Sequence, residues 1–213
     1  MYFKMQKGLF ITFEGADGSG KTTQLNKVKD FLTQEGFDVV ITREPGSLDI
    51  GQKIRNILLH HEGFVSDRCE MFLFLADRSQ HVDAFIKPEL DQGKIVLCDR
   101  HTDSTVAYQG YGRSQDVELL KKLNAIAVNG LAPDLTLLYD VSTETAQQRV
   151  GSEKDRMESI GLDFHSKVRK GYLELQKENP DRIKIVDANN SIDKVFEDTK
   201  EIVVKLIQER RGK

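Results

Sequence analysis

Two patterns in the 213-residue chain predict an α/β fold built on a parallel sheet with helices on both faces. Short, nearly continuous apolar runs recur near Leu9–Phe13, Phe37–Thr42, Ile95–Cys98, Leu135–Val141 and Ile183–Val186, and amphipathic helical patterns separate them. A strand buried on both faces loses its in-out alternation, and parallel neighbours need a crossover between them. A third observation says where ligands gather. Polar residues cluster directly after the first three runs, at Gly15 to Thr22, Arg43 to Ser47 and Asp99 to Arg113, the carboxyl ends at which open parallel sheets collect ligands.

The first run leads into Gly15, Ala16, Asp17, Gly18, Ser19, Gly20, Lys21 and Thr22, with Thr23 next: Gly, four free positions, then Gly-Lys-Thr. A helical pattern carried by Leu25, Val28, Phe31 and Leu32 follows, so the motif has its strand, loop and helix context. Such a loop turns backbone N–H groups and a helix start toward phosphates. Lys21 then reaches the terminal phosphates and the Thr22 hydroxyl can ligate Mg²⁺.

Gly36 suits a helix end, and the second run ends in Arg43 and Glu44 before a Pro45-Gly46 turn. Taken alone, that pair reads equally as a surface ion pair. Ile50, Ile54, Ile57, Leu58 and Leu59 form a helical stripe, in which Arg55 is either a solvated charge or a phosphate contact. In the next helix Phe74 and Arg78 stand four apart and share a face, a clamp for a planar base as well as an ordinary core arrangement. His60, His61, His81 and His101 have no metal-ligand spacing and read as structural.

The third run ends in Asp99, where a carboxylate can hold a metal's water shell, and Arg100, a fork suited to phosphate. Ser104, Thr105, Tyr108, Gln109 and Arg113 follow, a density of polar groups that a surface turn does not require. From Arg149 through Lys154, Asp155, Arg156 and Glu158 the chain is polar and reads as a basic lid near 149–158 or as a solvated charged loop. The rest, with Tyr172 among its apolar positions, reads as architectural, and Arg210 to Lys213 as a frayed tail.

Composition sets the broad class. No linker splits the chain, so one domain over 1–213 is expected. A formal charge of −3 argues against a general nucleic-acid or membrane-surface binder. Two cysteines, Cys69 and Cys98, form no framework, and no apolar run is long enough to span a bilayer, so a reducing cytoplasm is expected. Met1 to Lys7 lacks the apolar core of a targeting segment.

Several stretches together resemble the thymidylate kinase family, bacterial type, which phosphorylates dTMP to dTDP: Phe13 through Gln24, Thr42-Arg43-Glu44-Pro45-Gly46, Asp77-Arg78, Asp99-Arg100-His101, Ser104 through Gly110, Asn129 through Leu135 and Asp155-Arg156. The resemblance covers nearly the whole chain. It implies a P-loop NTPase fold of the nucleoside monophosphate kinase type with five parallel strands, ATP and Mg²⁺ as cofactors, a role in dTTP synthesis, and a homodimer. The apolar helices between Val65 and Phe85 could supply the interface.

Residue by residue, the resemblance implies that Gly15 to Thr22 hold the ATP phosphates and that Thr22 and Asp99 face the metal. Asp17 points toward the acceptor's sugar and phosphate region or the metal. Phe74 stacks on thymine, Arg78 bonds the base edge and Arg100 grips the dTMP phosphate. Ser104 and Thr105 lie where the family reads the base, Tyr108 where it senses a missing 2′-hydroxyl, and Gln109 lines the acceptor pocket. Glu44 belongs to the acceptor phosphate and metal network. Yeast- and animal-type members carry Arg after the loop Asp, whereas this chain has Gly18, so Arg149 and Arg156 become the candidates for neutralising the transferred phosphoryl, alongside Lys21 and Arg100. Gly46-Ser47-Leu48 replaces the more usual Gly-Gly-Thr. The rival readings are another deoxynucleotide or deoxynucleoside kinase and a nucleotide-dependent switch; the acceptor used separates them.

Overall fold

The computed structural model describes residues 8–149 and 155–211. Five strands form one parallel sheet in the order β2-β3-β1-β4-β5: β1 (Leu9–Glu14), β2 (Val39–Arg43), β3 (Ile95–Asp99), β4 (Leu135–Asp140) and β5 (Ile183–Asp187). All five lie within two residues of the predicted runs. Phe37, predicted to start β2, is buried beneath the first helix instead. Every residue of β1 is buried, which is why the run shows no alternation.

Helix α1 (Lys21–Gln34) packs Leu25, Val28 and Leu32 onto one face of the sheet, and α9 (Ile192–Arg211) adds Val195, Val203 and Ile207 beside it. α9 continues through Arg210, whose guanidinium pairs with Asp134, so the predicted frayed tail is helical this far; residues 212–213 and Met1 to Lys7 lie outside the described residues.

Helix α2 (Asp49–His60) departs from its predicted stripe. Leu58 and Leu59 are buried, but Ile50 and Ile57 are exposed. Its inward line runs through Gly51, which packs so close that an added Cβ would sit 2.3 Å from Asp77 Oδ1. Helix α3 (Asp67–His81) buries Met71 and Leu75 and leaves Phe72 exposed. A π-helical turn (Val82–Ile86) and α4 (Lys87–Asp91) lead into β3.

After β3 the predicted polar segment is helical: α5 (Thr102–Thr105) continues into a π-helical stretch, Val106–Gly112. Wider π-helical turns are often found where function displaces a regular helix. Helices α6 (Val117–Val128), α7 (Thr143–Arg149) and α8 (Leu162–Glu178) complete the fold, with α8 laid along the π-helical stretch.

Candidate active site

A cavity of about 480 Å³ opens at the carboxyl ends of β1, β2 and β3. It is lined by Asp17, Gly18, Gly20, Lys21, Thr22 and Thr23 from the loop, Glu44 after β2, Phe74 and Arg78 from α3, and Asp99, Arg100, Ser104, Thr105, Tyr108 and Gln109 from β3 onward. These residues come from segments up to 92 positions apart, and the parallel sheet brings them together by placing three strand ends side by side. Gly15, Ala16 and Ser19 of the loop are not among the lining residues. Gly15 has φ 138°, and a Cβ there would meet Tyr139 O at 2.5 Å.

Gly20, in the left-handed region at φ 87°, precedes α1 without a side-chain cap, and the first turn of the helix carries no acid. The helix start therefore keeps open donors at its positive dipole end. Lys21 Nζ donates to Gly15 O (3.2 Å) and Ala16 O (2.9 Å). Burial, aided by Arg100, lowers its pKa.

Arg100 is the hub of the acceptor side. Its φ of 67° is a strained left-handed value for a non-glycine residue. The turn is held by its own N–H on Phe13 O (2.9 Å) and by Glu14 beyond it. Glu14 Oε1 accepts from the N–H groups of His101 (2.7 Å) and Ser104 (3.3 Å), and its Oε2 from the hydroxyls of Ser104 (2.6 Å) and Tyr172 (2.9 Å). Burial, reinforced by Asp103, pushes Glu14 up to about 7. Arg100 itself donates to Asp17 Oδ1 (2.6 Å), Gly15 O, Ser104 Oγ, Tyr172 OH and Tyr108 OH, and stacks over the Tyr108 ring. Tyr108 in turn donates to Asp17 Oδ2 at 3.2 Å. Burial would raise the Asp17 carboxyl, but Arg100 and Lys21 hold it well below the usual range.

Arg78 is almost fully buried and uses four of its five N–H donors on protein: Nε to Glu44 (2.8 Å), Nη1 to Thr105 Oγ1 and Asn124 (both 2.7 Å), Nη2 to His101 O (2.9 Å). Glu44 also accepts from His81 Nδ1 (2.9 Å) and His101 Nδ1 (3.0 Å), so both histidines sit in the wall behind the cavity. Burial opposes ionisation of Glu44, yet His101 and Arg78 keep its pKa well below the usual value.

Thr22 Oγ1 donates to Asp99 Oδ2 at 3.4 Å, and Asp99 Oδ1 is buried with no hydrogen-bond partner among the described residues. A hydroxyl and a carboxylate with a spare oxygen, beside a phosphate loop, are a donor set that suits Mg²⁺ and its water shell.

Arg149 and Arg156 do not line the cavity. Arg149 Nη1 donates to Ala188 O (2.9 Å), and Arg156 Nε donates to Leu58 O (2.7 Å) while Nη2 pairs with Glu70 (2.7 Å). Residues 150–154 of the predicted lid, Lys154 among them, lie outside the described residues. Two other cations do line it: Arg43, and Arg55, whose Nη1 is held on Pro45 O (3.0 Å). Asp155, Met157 and Glu158 also face the cavity, and Tyr172 reaches Arg100 from α8. Nothing in a helical stripe distinguishes Tyr172 from core. Glu14 carried one signal, an acid ending an apolar strand immediately before the loop.

Comparison with known proteins agrees with this geometry. A family model described as Thymidylate kinase matches residues 13–199. The chain is similar to a thymidylate kinase of Maridesulfovibrio salexigens, 45% identical with 96% of this chain and 97% of the relative covered. It is likewise similar to one of Syntrophotalea carbinolica, 48% identical over 87% of this chain and 90% of the relative. Among solved structures, a thymidylate kinase from Ehrlichia chaffeensis superposes with a TM-score of 0.77 at 36% identity, covering 92% of this chain and 98% of that one.

Proposed function

Because the chain belongs to the thymidylate kinase family, and so phosphorylates dTMP to dTDP, we propose that ATP is its phosphoryl donor, Mg²⁺ its metal, and the cavity at the strand ends the place where both nucleotides meet. One observation carries this reading: Lys21 and the open start of α1 share a single cavity with Arg100, Phe74 and Arg78. A phosphate donor on the loop and a nucleotide under Phe74 would then have their phosphates between the same cations.

In this reading the ATP phosphates take the backbone donors of the loop from Gly15 to Thr22 and Thr23, and Lys21 exchanges its two carbonyl partners for phosphate oxygens. The acceptor phosphate competes with Asp17 for Arg100, with Arg55 and Arg43 near it in place of the predicted lid arginines. The thymine stacks on Phe74 and takes the remaining N–H of Arg78. Thr105 and Gln109 lie along the same wall, and Tyr108, held by Asp17 and Arg100, closes the side of the sugar that lacks a 2′-hydroxyl. Thr22 and Asp99 would hold Mg²⁺, which supplies charge compensation at the phosphoryl oxygens.

In-line transfer brings two anions together, so the protein's work is positioning and charge compensation. The acceptor oxygen is already anionic near neutral pH, and no general base is assigned. The protein acts in the cytoplasm as a homodimer in a single domain, supplying dTTP synthesis. Cys69 and Cys98 are unpaired, and among the described residues no helix is long and apolar enough to cross a membrane. The test is ADP formation with ATP, Mg²⁺ and each of dTMP, dUMP, dCMP, dGMP and thymidine. Mg²⁺-dependent turnover greatest with dTMP is expected; preference for another acceptor would overturn the roles given to Phe74, Arg78 and Thr105.

A further inference from the structure

Glu70 of α3 has no exposed surface, yet two arginines and an amide converge on it. Gln109 Nε2 (3.0 Å) and Arg113 Nε (3.2 Å) donate to Oε1, Arg113 Nη2 donates to Oε2 (3.0 Å), and Arg156 Nη2 pairs with Oε2 at 2.7 Å. Burial would raise this carboxyl, but the bonds from Arg113, Gln109 and Arg156 hold it below its ordinary value. A buried carboxylate so surrounded stays charged, and removing it would leave two guanidinia facing each other.

Arg156 is held at two further points. Its Nε donates to Leu58 O at 2.7 Å and its backbone N–H to Leu59 O at 3.2 Å. Both carbonyls belong to the last turn of α2, where helical acceptors lack intrahelical partners. Next to it, Asp155 Oδ1 accepts the N–H groups of Met157 and Glu158, both at 2.8 Å, which rounds the segment into a tight turn. The neighbours Asp155, Met157 and Glu158 line the cavity, and Arg156 does not.

Resting on the kinase reading above, we propose that Arg156 is a positioning residue for the acceptor nucleotide. Its guanidinium pins the turn at residues 155–158 to α2 and α3, so that Asp155, Met157 and Glu158 form a set wall of the acceptor pocket. Glu70 ties that wall to Gln109 in the same pocket. The role needs a fork, because the contacts on Leu58 O and Glu70 diverge from one planar group, and a lysine ammonium cannot reproduce them.

The experiment compares Arg156→Ala, Arg156→Lys, Glu70→Gln and the double variant Arg156→Ala/Glu70→Gln with the unmodified protein, measuring kcat, both KM values, and dTMP affinity by calorimetry. Arg156→Ala is expected to weaken dTMP binding and raise its KM about tenfold or more, with kcat within about threefold and the KM for ATP unmoved. Arg156→Lys should fail to restore the acceptor KM, and the double variant should be no worse than the worse single one. A loss of kcat of about 10²–10³ with unchanged dTMP affinity and rescue by lysine would overturn the proposal, since that is the signature of a cation acting on the transferred phosphoryl. Unchanged kinetics would overturn it too. If Glu70→Gln does not fold, the two Arg156 variants, partly exposed at that side chain, decide alone. Lack of dTMP turnover and binding by the unmodified protein would overturn the kinase reading and this one together, whereas effects seen only in the variants concern the positioning role.

Discussion

At the scale of single residues, the site is a set of charges made tolerable in a dry wall. Glu14 shows how. Its Oε1 meets two backbone N–H donors, while its Oε2 meets only the hydroxyls of Ser104 and Tyr172, which can donate or accept. A protonated Glu14 can therefore donate to a hydroxyl without leaving a group unsatisfied, in keeping with a pKa pushed up to about 7 from 4.5. Below the unfolded value both states hold the proton. Between about 4.5 and 7 the folded state keeps a proton that the unfolded chain releases, so the Glu14 contribution to stability falls as pH rises through that window and stays lost above it. The full effect is of order 3 kcal/mol. Glu14→Gln mimics the neutral form, so its melting temperature should change less between pH 5 and 8 than that of the unmodified protein. Parallel pH profiles for the two would rule this out.

At the scale of elements, the acceptor wall depends on α8 lying tightly against the π-helical stretch. Gly171 of α8 permits this approach: an added Cβ would lie 2.8–2.9 Å from Cδ2, Cγ and Cβ of Tyr111. Atoms so near the root of a ring cannot swing aside, so the helix itself would have to shift. Gly171→Ala should destabilise the fold by about 1–3 kcal/mol, in urea melts, despite the better helix propensity of alanine. It should also weaken dTMP binding, because Tyr172 is the next residue and its hydroxyl touches Arg100 and Ser104. A variant as stable as the parent would show that the two helices are not in firm contact.

At the scale of the whole molecule, two adjoining helices expose large apolar side chains. Phe72 of α3 is 57% exposed, and Leu119 and Ile126, seven apart on the adjoining α6, are 49% and 76% exposed. The expected homodimer interface between Val65 and Phe85 would gain α6 as a second helix. Sedimentation should show a dimer that Phe72→Asp/Ile126→Asp converts to monomer with the fold retained. A monomeric parent, or an unaltered dimer in the variant, would exclude this face.

The order of strands and helices, the phosphate loop, and the residues that end β1, β2 and β3 were legible in the chain because each is encoded locally, by an apolar run, a glycine spacing or a polar cluster after a strand. Family likeness then gave roles to Phe74 and Arg78, whose spacing on one helix face suits a core arrangement more often than a base clamp, and to Tyr108, which already stood in the polar cluster after β3. What local pattern could not reveal is which charges face one another. Arg55 and Arg156 look alike in sequence, yet one lines the cavity and the other is bound to Glu70 and α2. Ile57 and Leu58 are neighbours in one stripe, yet only Leu58 is buried, because Leu58, two turns after Gly51, shares the face that Gly51 lays against Asp77 and Ile57 is turned away from it. Glu14 and Tyr172 meet across 158 positions at Ser104. Local pattern along the chain was enough for the fold class, the phosphate loop and the family. The partners of each buried charge were decided only when the sheet placed its strand ends together, since a side chain's electrostatic surroundings come from segments that meet only in the folded state.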